Sequence, residues 1–217
     1  MPSSAVTQQT YRMNANEREV LAARLSAKLE PWRIRATLSF AGLYQITHEL
    51  IKETVIDDVR GFYLIGFDES GYTYDEQRYE AQVLRRDPKR RKMRASLLWL
   101  VESGAITLQQ ADRLDEIYAH RHDLTHELGK YIVDPEFEPD MQLFSDAVQI
   151  LQDIRRYWTR VEMDLGTYEA YGEVDVDDIT PGPILLLQLC IDAYVEGLNK
   201  EIEARRGRSD DVTTAAE

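Results

Sequence analysis

Helix start and stop signals punctuate this sequence from end to end. Asn14 with Glu17, and Thr107 with Gln110, each pair a capping side chain with a polar partner three residues on, which is the capping-box pattern. Asp87-Pro88 and Thr180-Pro181 read as helix starts, and Ser103-Gly104 reads as a stop. Only 11 glycines and 7 prolines occur in 217 residues, and they lie between segments of helical apolar spacing. The expected fold is therefore all-α: an antiparallel bundle core of four to five helices with additional N- and C-terminal helices.

The elements follow from that punctuation. A first helix runs from the Asn14 cap to near Pro31. A long amphipathic helix spans 33–59, with Ile34, Leu38, Ala41, Ile46, Leu50 and Val55 near helical spacing. The aromatic, glycine-bearing stretch 60–74 reads as a packed loop or a short helical turn. Helices are expected at 75–86 and from Pro88 to Ser103, the latter with Met93, Leu97, Leu100 and Val101 on one stripe. Further helices are expected from Thr107 through 132 and over 141–165, and 166–180 reads as a polar loop. The domain plan is a flexible N-terminus over 1–14, a single helical domain over 15–205 and a disordered tail over 206–217. Within that domain the core covers about 30–165 and the C-terminal helix about 181–205.

Composition narrows the function classes. The opening "MPSSAVTQQTYRMNANE" lacks a basic segment followed by an apolar one, so no signal peptide is expected. The most apolar run, "PILLLQLCIDAYV", is too short to span a bilayer, so no membrane partner is expected. A lone cysteine, Cys190, offers neither a disulfide framework nor a zinc cluster and suits a cytoplasmic location. The formal charge of −13 argues against general attraction to nucleic acid.

The chemistry concentrates in "AHRHDLTHEL", which holds three of the chain's four histidines. Three readings compete there. One is a metal-dependent hydrolase: His122 and His126 are four apart and share a helical face, and "HDLTH" is close to a zinc-protease pattern with Asp in place of Glu. His120 lies about 200° round the helix from His122, so a third ligand is missing. The second reading is structural. Leu114, Ile117, Arg121, Leu124 and Leu128 form an apolar stripe that Arg121 interrupts, and a salt bridge to a neighbouring helix would settle it. His48, alone on its amphipathic helix, also reads as structural.

The third reading is a metal-free nuclease site. Arg121 and His126, with His122 as the polar residue after the arginine, form an R-x4-H pattern that resembles the HEPN superfamily. Together with "SFAGLYQITHELIKETVIDDV" and "ASLLWLVESGAI", the layout looks like the abortive-infection-type HEPN proteins of bacteria. The resemblance implies a HEPN-like bundle and a metal-independent endoribonuclease without cofactors. It implies cleavage by 2′-hydroxyl attack at a composite homodimer site, in a toxin or phage-defence effector with an antitoxin or regulatory partner. Arg121 would stabilise phosphate charge, His126 would act as general base or acid, and His122 would assist. Asp123 and Thr125 are supporting candidates. Arg121 and His126 point roughly 140° apart on an ideal helix, so one helix can hardly close both on a single phosphate, and the resemblance implies a second copy as the solution. A departure is Leu128, where HEPN toxins often carry a tyrosine two residues after the histidine; Tyr131 is the nearest, and this puts silencing by tyrosine nucleotidylation in doubt. A HEPN-like module without catalysis, serving interaction or nucleotide sensing, is the remaining alternative.

One segment runs against the acidic whole. "RRDPKRRKMR" holds seven cations in ten residues: Arg85, Arg86, Lys89, Arg90, Arg91, Lys92 and Arg94. If a helix opens at Pro88, Lys89–Lys92 oppose its dipole, at about 0.3 kcal/mol or more each. The functional expectation is an RNA phosphate-binding patch. The alternative is internal balance by the acidic loops "GEVDVDD" or "VDPEFEPD".

Overall fold

A computed structural model describes residues 14–69 and 71–214, and it is all-α apart from one small hairpin. Helix α1 (Ala15–Lys28) starts on the expected capping box: Glu17 N–H donates to Asn14 Oδ1 at 2.8 Å, and Asn14 N–H donates back to Glu17 Oε2 at 2.7 Å. The flexible segment expected over 1–14 otherwise lies outside the described residues.

Helix α2 (Pro31–Glu53) continues through a π-helical turn, Thr54–Asp58, into α3 (Val59–Gly61). The long helix is thus present, but its buried face differs from the expected stripe. Phe40, Leu43, Tyr44, Thr47, Leu50 and Ile51 face inward, whereas Leu38 and Ile46 stay 46% and 37% exposed. Aromatic bulk at Phe40 and Tyr44 sets the phase: both rings are buried, Phe40 meets Tyr44 and Phe144 edge-on, and Tyr44 meets Phe144 at a tilt. The wider π turn keeps both Val55 and Val59 fully buried. It also places Asp58 against Arg155 Nη1 at 3.0 Å, where burial outweighs the arginine and lifts the carboxyl to about 6.

Residues 60–74 depart from the expected loop. They form an antiparallel hairpin, β1 (Leu64–Asp68) with β2 (Gly71–Tyr74). Ile65, Phe67 and Tyr72 are 65%, 73% and 66% exposed, so the hairpin stands away from the core. Glycine-flanked alternating aromatics are strand formers, and the helical periodicity elsewhere masked that signal. Helix α4 (Glu76–Gln82) and a 3-10 turn, Leu84–Arg86, then cover the expected 75–86 segment.

The next helix, α5 (Lys92–Glu102), begins four residues later than Pro88. Asp87 does cap, but it caps a turn: its Oδ2 accepts from Arg91 N–H at 2.9 Å, with Arg90 at φ 52° between them. Lys89, Arg90 and Arg91 therefore precede the helix, and only Lys92 of that group lies in it. Helix α5 stops at Ser103, and Gly104 takes the left-handed turn (φ 76°) that glycine tolerates.

Helix α6 (Leu108–His126) opens on the Thr107–Gln110 capping box. It does not run through 132 as one rod. Glu127 leaves helical geometry (φ −116°, ψ 24°), and α7 (Leu128–Val133) follows. Asp123 braces the break, accepting from Lys130 Nζ at 2.8 Å and Tyr131 Oη at 2.5 Å. Helix α8 (Met141–Asp164) buries Leu143, Phe144, Ala147, Ile150, Leu151, Ile154 and Trp158 on a single face. Two 3-10 turns, Glu169–Tyr171 and Val176–Asp178, punctuate the polar loop. The last helix, α9 (Gly182–Thr214), packs on α2 and extends past 205 through most of the segment expected to be a tail.

Helices α2, α5, α6 and α8 enclose the core, and α9 packs on α2 and adds Leu187 to it. Leu97, Leu100, Leu151 and Ile154 are 0% exposed, each worth about 1.5–3 kcal/mol of burial. Trp99 stacks on Trp158 at 5.9 Å. Among the described residues no helix is long and apolar enough to cross a membrane.

Candidate functional site

The C-terminal two turns of α6 carry the site residues on three faces. Ile117 and Leu124 are both 1% exposed and press the helix into the core. Arg121 lies between them in sequence and is held against α2, its side chain 18% exposed. Its Nε donates to Gln45 Oε1 at 2.8 Å, and its Nη2 reaches Glu49 Oε1 at 3.5 Å. The salt bridge to a neighbouring helix is therefore real, and it explains how an arginine sits in an apolar stripe.

Glu49 is the hub of that contact. His48 Nδ1 and Lys52 Nζ lie 3.5 and 3.6 Å from its carboxylate. Burial alone would raise the Glu49 carboxyl, but Lys52, His48 and Arg121 outweigh it and hold it below the usual carboxylate range. His48, expected to be structural, is buried and packs its ring 5.4 Å from Tyr118. Burial, and then the Arg121 charge, push its imidazole below the ordinary histidine range. Gln45 and Glu49 carried no chemical signal in the sequence. Their i, i+4 spacing on one helix was the available clue, and Gln45 Nε2 does donate to Glu49 Oε1 at 3.0 Å.

His122 and His126 do share a face. Their ring centroids are 4.2 Å apart, and both side chains are exposed. Neither makes a hydrogen bond to another described residue. His120 lies apart from them: its Nε2 accepts from Asp140 N–H at 3.1 Å, at the start of α8, and its ring sits against Tyr44 and Tyr131. Burial lowers its pKa, consistent with a neutral ring that keeps Nε2 free to accept. Among the described residues no group of three or more His, Cys, Asp or Glu is placed to hold a metal ion. The His122–His126 pair thus lacks a third ligand from within the described chain.

The two supporting candidates have local jobs. Asp123 is committed to Lys130 and Tyr131, whose hydrogen bonds hold its carboxyl below the usual range, so no imidazole of its own chain is oriented by it. Thr125 Oγ1 donates to the Arg121 carbonyl at 2.8 Å, a back-bond along α6.

The basic run divides in two. Arg86 pairs with Glu102, Arg90 with Glu80 at 2.7 Å, Arg91 with Asp87 at 2.8 Å, and Arg94 with Asp112 at 2.7 Å and Asp115 at 3.4 Å. Arg85, Lys89 and Lys92 are exposed and have no ion pair among the described residues. The balancing acids come from the run's own Asp87 and from α4, α5 and α6 rather than from the two acidic loops. "VDPEFEPD" instead meets α1 through Arg24–Glu136 at 2.7 Å and the buried Lys28–Glu138 at 2.6 Å. "GEVDVDD" meets α8 through Arg156–Asp177 at 3.0 Å. Comparison with family models, curated proteins and solved structures finds no match to this chain, so the chemistry of this site rests on its own residues.

Proposed function

We propose that the chain is a metal-independent endoribonuclease of HEPN type, acting as a homodimer on RNA as a cytoplasmic toxin or phage-defence effector. The observation that carries the reading is the exposed His122–His126 pair, with rings 4.2 Å apart, on the same helix end as an arginine held by Gln45 and Glu49. An imidazole serves as general acid or base, and a guanidinium forks onto phosphate oxygens. In this proposal one imidazole takes the 2′-hydroxyl proton and the oxygen attacks the adjacent phosphorus. The 5′-oxygen leaves with a proton from a second imidazole, and a cyclic phosphate remains. Arg121 neutralises the charge that builds on the phosphate, and the second copy brings its own Arg121 and His126 to the cleft. Within the basic run Arg85, Lys89 and Lys92, which have no ion pair among the described residues, hold flanking phosphates.

The test is RNA cleavage by the purified protein in excess chelator. Cyclic-phosphate ends, and loss of cleavage in Arg121→Ala and His126→Ala, are the expected results. Cleavage abolished by chelator would instead favour the hydrolase reading. One observation supports the alternative of a HEPN-like interaction module: Arg121 is already occupied by Glu49 within its own chain. A folded dimer with no cleavage under any condition, and no antitoxin or regulatory partner required to silence it, is the result that reading expects.

A further inference from the structure

A cleft of about 350 Å³ opens between α2, the π turn, α5 and α6. It is walled by Ile51, Ile56, Leu97, Leu114 and Ile117, with Met93 and Tyr118 at its sides. The volume lies in the range of small-molecule sites. His48 lines the wall, its side chain 9% exposed and its Nδ1 without a hydrogen-bond partner. Lys52, Arg91 and Arg94 also line the cleft, against a single acid, Asp115.

Two of those cations have unused capacity. Arg94 spends both terminal nitrogens on Asp112 and Asp115. Arg91 spends Nε and Nη2 on Asp87, which leaves Nη1 without a hydrogen bond. Lys52 is 55% exposed and meets Glu49 only at 3.6 Å, a loose contact of the kind solvent exchanges readily. The walls offer few polar groups to satisfy a nucleobase edge, and an unpaired polar edge is costly to bury. An apolar body with one anionic end matches both parts of the site.

We propose that this cleft binds a small hydrophobic carboxylate, its apolar body against Ile51, Leu97 and Ile117 and its carboxylate at Lys52 Nζ and Arg91 Nη1. The site goes beyond the nuclease reading and does not depend on it, since the test reads neither RNA nor cleavage.

Decanoate is the probe, with decanol as its neutral counterpart, both measured by titration calorimetry on the full chain. Saturable binding of decanoate at one site per chain is expected, with decanol about tenfold weaker or worse, the scale of one lost charge-assisted contact. Lys52→Gln lowers decanoate affinity about tenfold and leaves decanol unchanged. Met93→Trp, which fills the mouth from a half-buried position, weakens both; unchanged thermal unfolding shows that it folds. Equal binding of the two probes, indifference to both variants, or preference for adenosine monophosphate over decanoate would each overturn the proposal.

Discussion

His120 and His122 stand two residues apart on α6 and live in opposite worlds. His120 is wedged between Tyr44 and Tyr131 and accepts the Asp140 N–H, so its ring holds the start of α8 to α6. His122 points outward beside His126 and makes no hydrogen bond to another described residue. The nearby carboxylates fall on the structural side: Asp123 braces the α6–α7 break, and Glu49 pairs with Arg121. One side of the helix end is thus structural, and the other carries two exposed imidazoles. An imidazole that no contact in the fold requires is the more informative of the two.

The strongest way to break this comparison is to delete each ring. His126→Ala and His122→Ala are expected to slow RNA cleavage by about 100-fold or more, while shifting unfolding free energy by less than about 0.5 kcal/mol. His120→Ala should do the reverse, with denaturant unfolding as the readout. A destabilised His126→Ala, or a His120→Ala that keeps full stability, would erase the distinction.

A smaller effect sharpens the bracing role. Asp123→Ala removes two hydrogen bonds at a partly exposed site and should cost about 1–2 kcal/mol, with Tyr131→Phe costing about 1 kcal/mol. If chemical denaturation shows no loss in either, the break after His126 is held by something other than this contact.

The smallest effect is a pH signature. Burial lowers the His120 pKa, so the folded chain binds this proton less readily than the unfolded chain. Stability from this group is then full above the ordinary value of 6.5 and falls as pH drops through it. Imidazole NMR should show a titration displaced below 6.5 that returns toward the ordinary value in Tyr44→Ala. A His120 signal titrating above 6.5 would contradict the neutral, accepting ring.

Much of the fold was legible because helix ends are written locally. Both capping boxes, the Gly104 stop, the buried Leu97 and Leu100, and the separation of His120 from His122 and His126 all follow from short-range spacing. The errors have physical causes. Asp87-Pro88 resembles a helix start, but the Asp87 side chain caps a tight turn through Arg90 instead. The hairpin was hidden because its aromatics read equally well as a packed loop. The phase of α2 departs from the expected stripe because Leu38 and Ile46 are apolar and yet face outward.

What the sequence determined by itself is the all-α class, most helix boundaries and the shared face of His122 and His126. Those depend on backbone capping and on the pitch of a helix, which neighbouring residues dictate. The partner of Arg121, the sharing of the basic run among Glu80, Asp87, Glu102, Asp112 and Asp115, and the cleft beside His48 were decided only by the tertiary structure. Each needs groups from separate helices to meet, and an acidic chain offers many carboxylates that could have met them. Only packing selects which ones do.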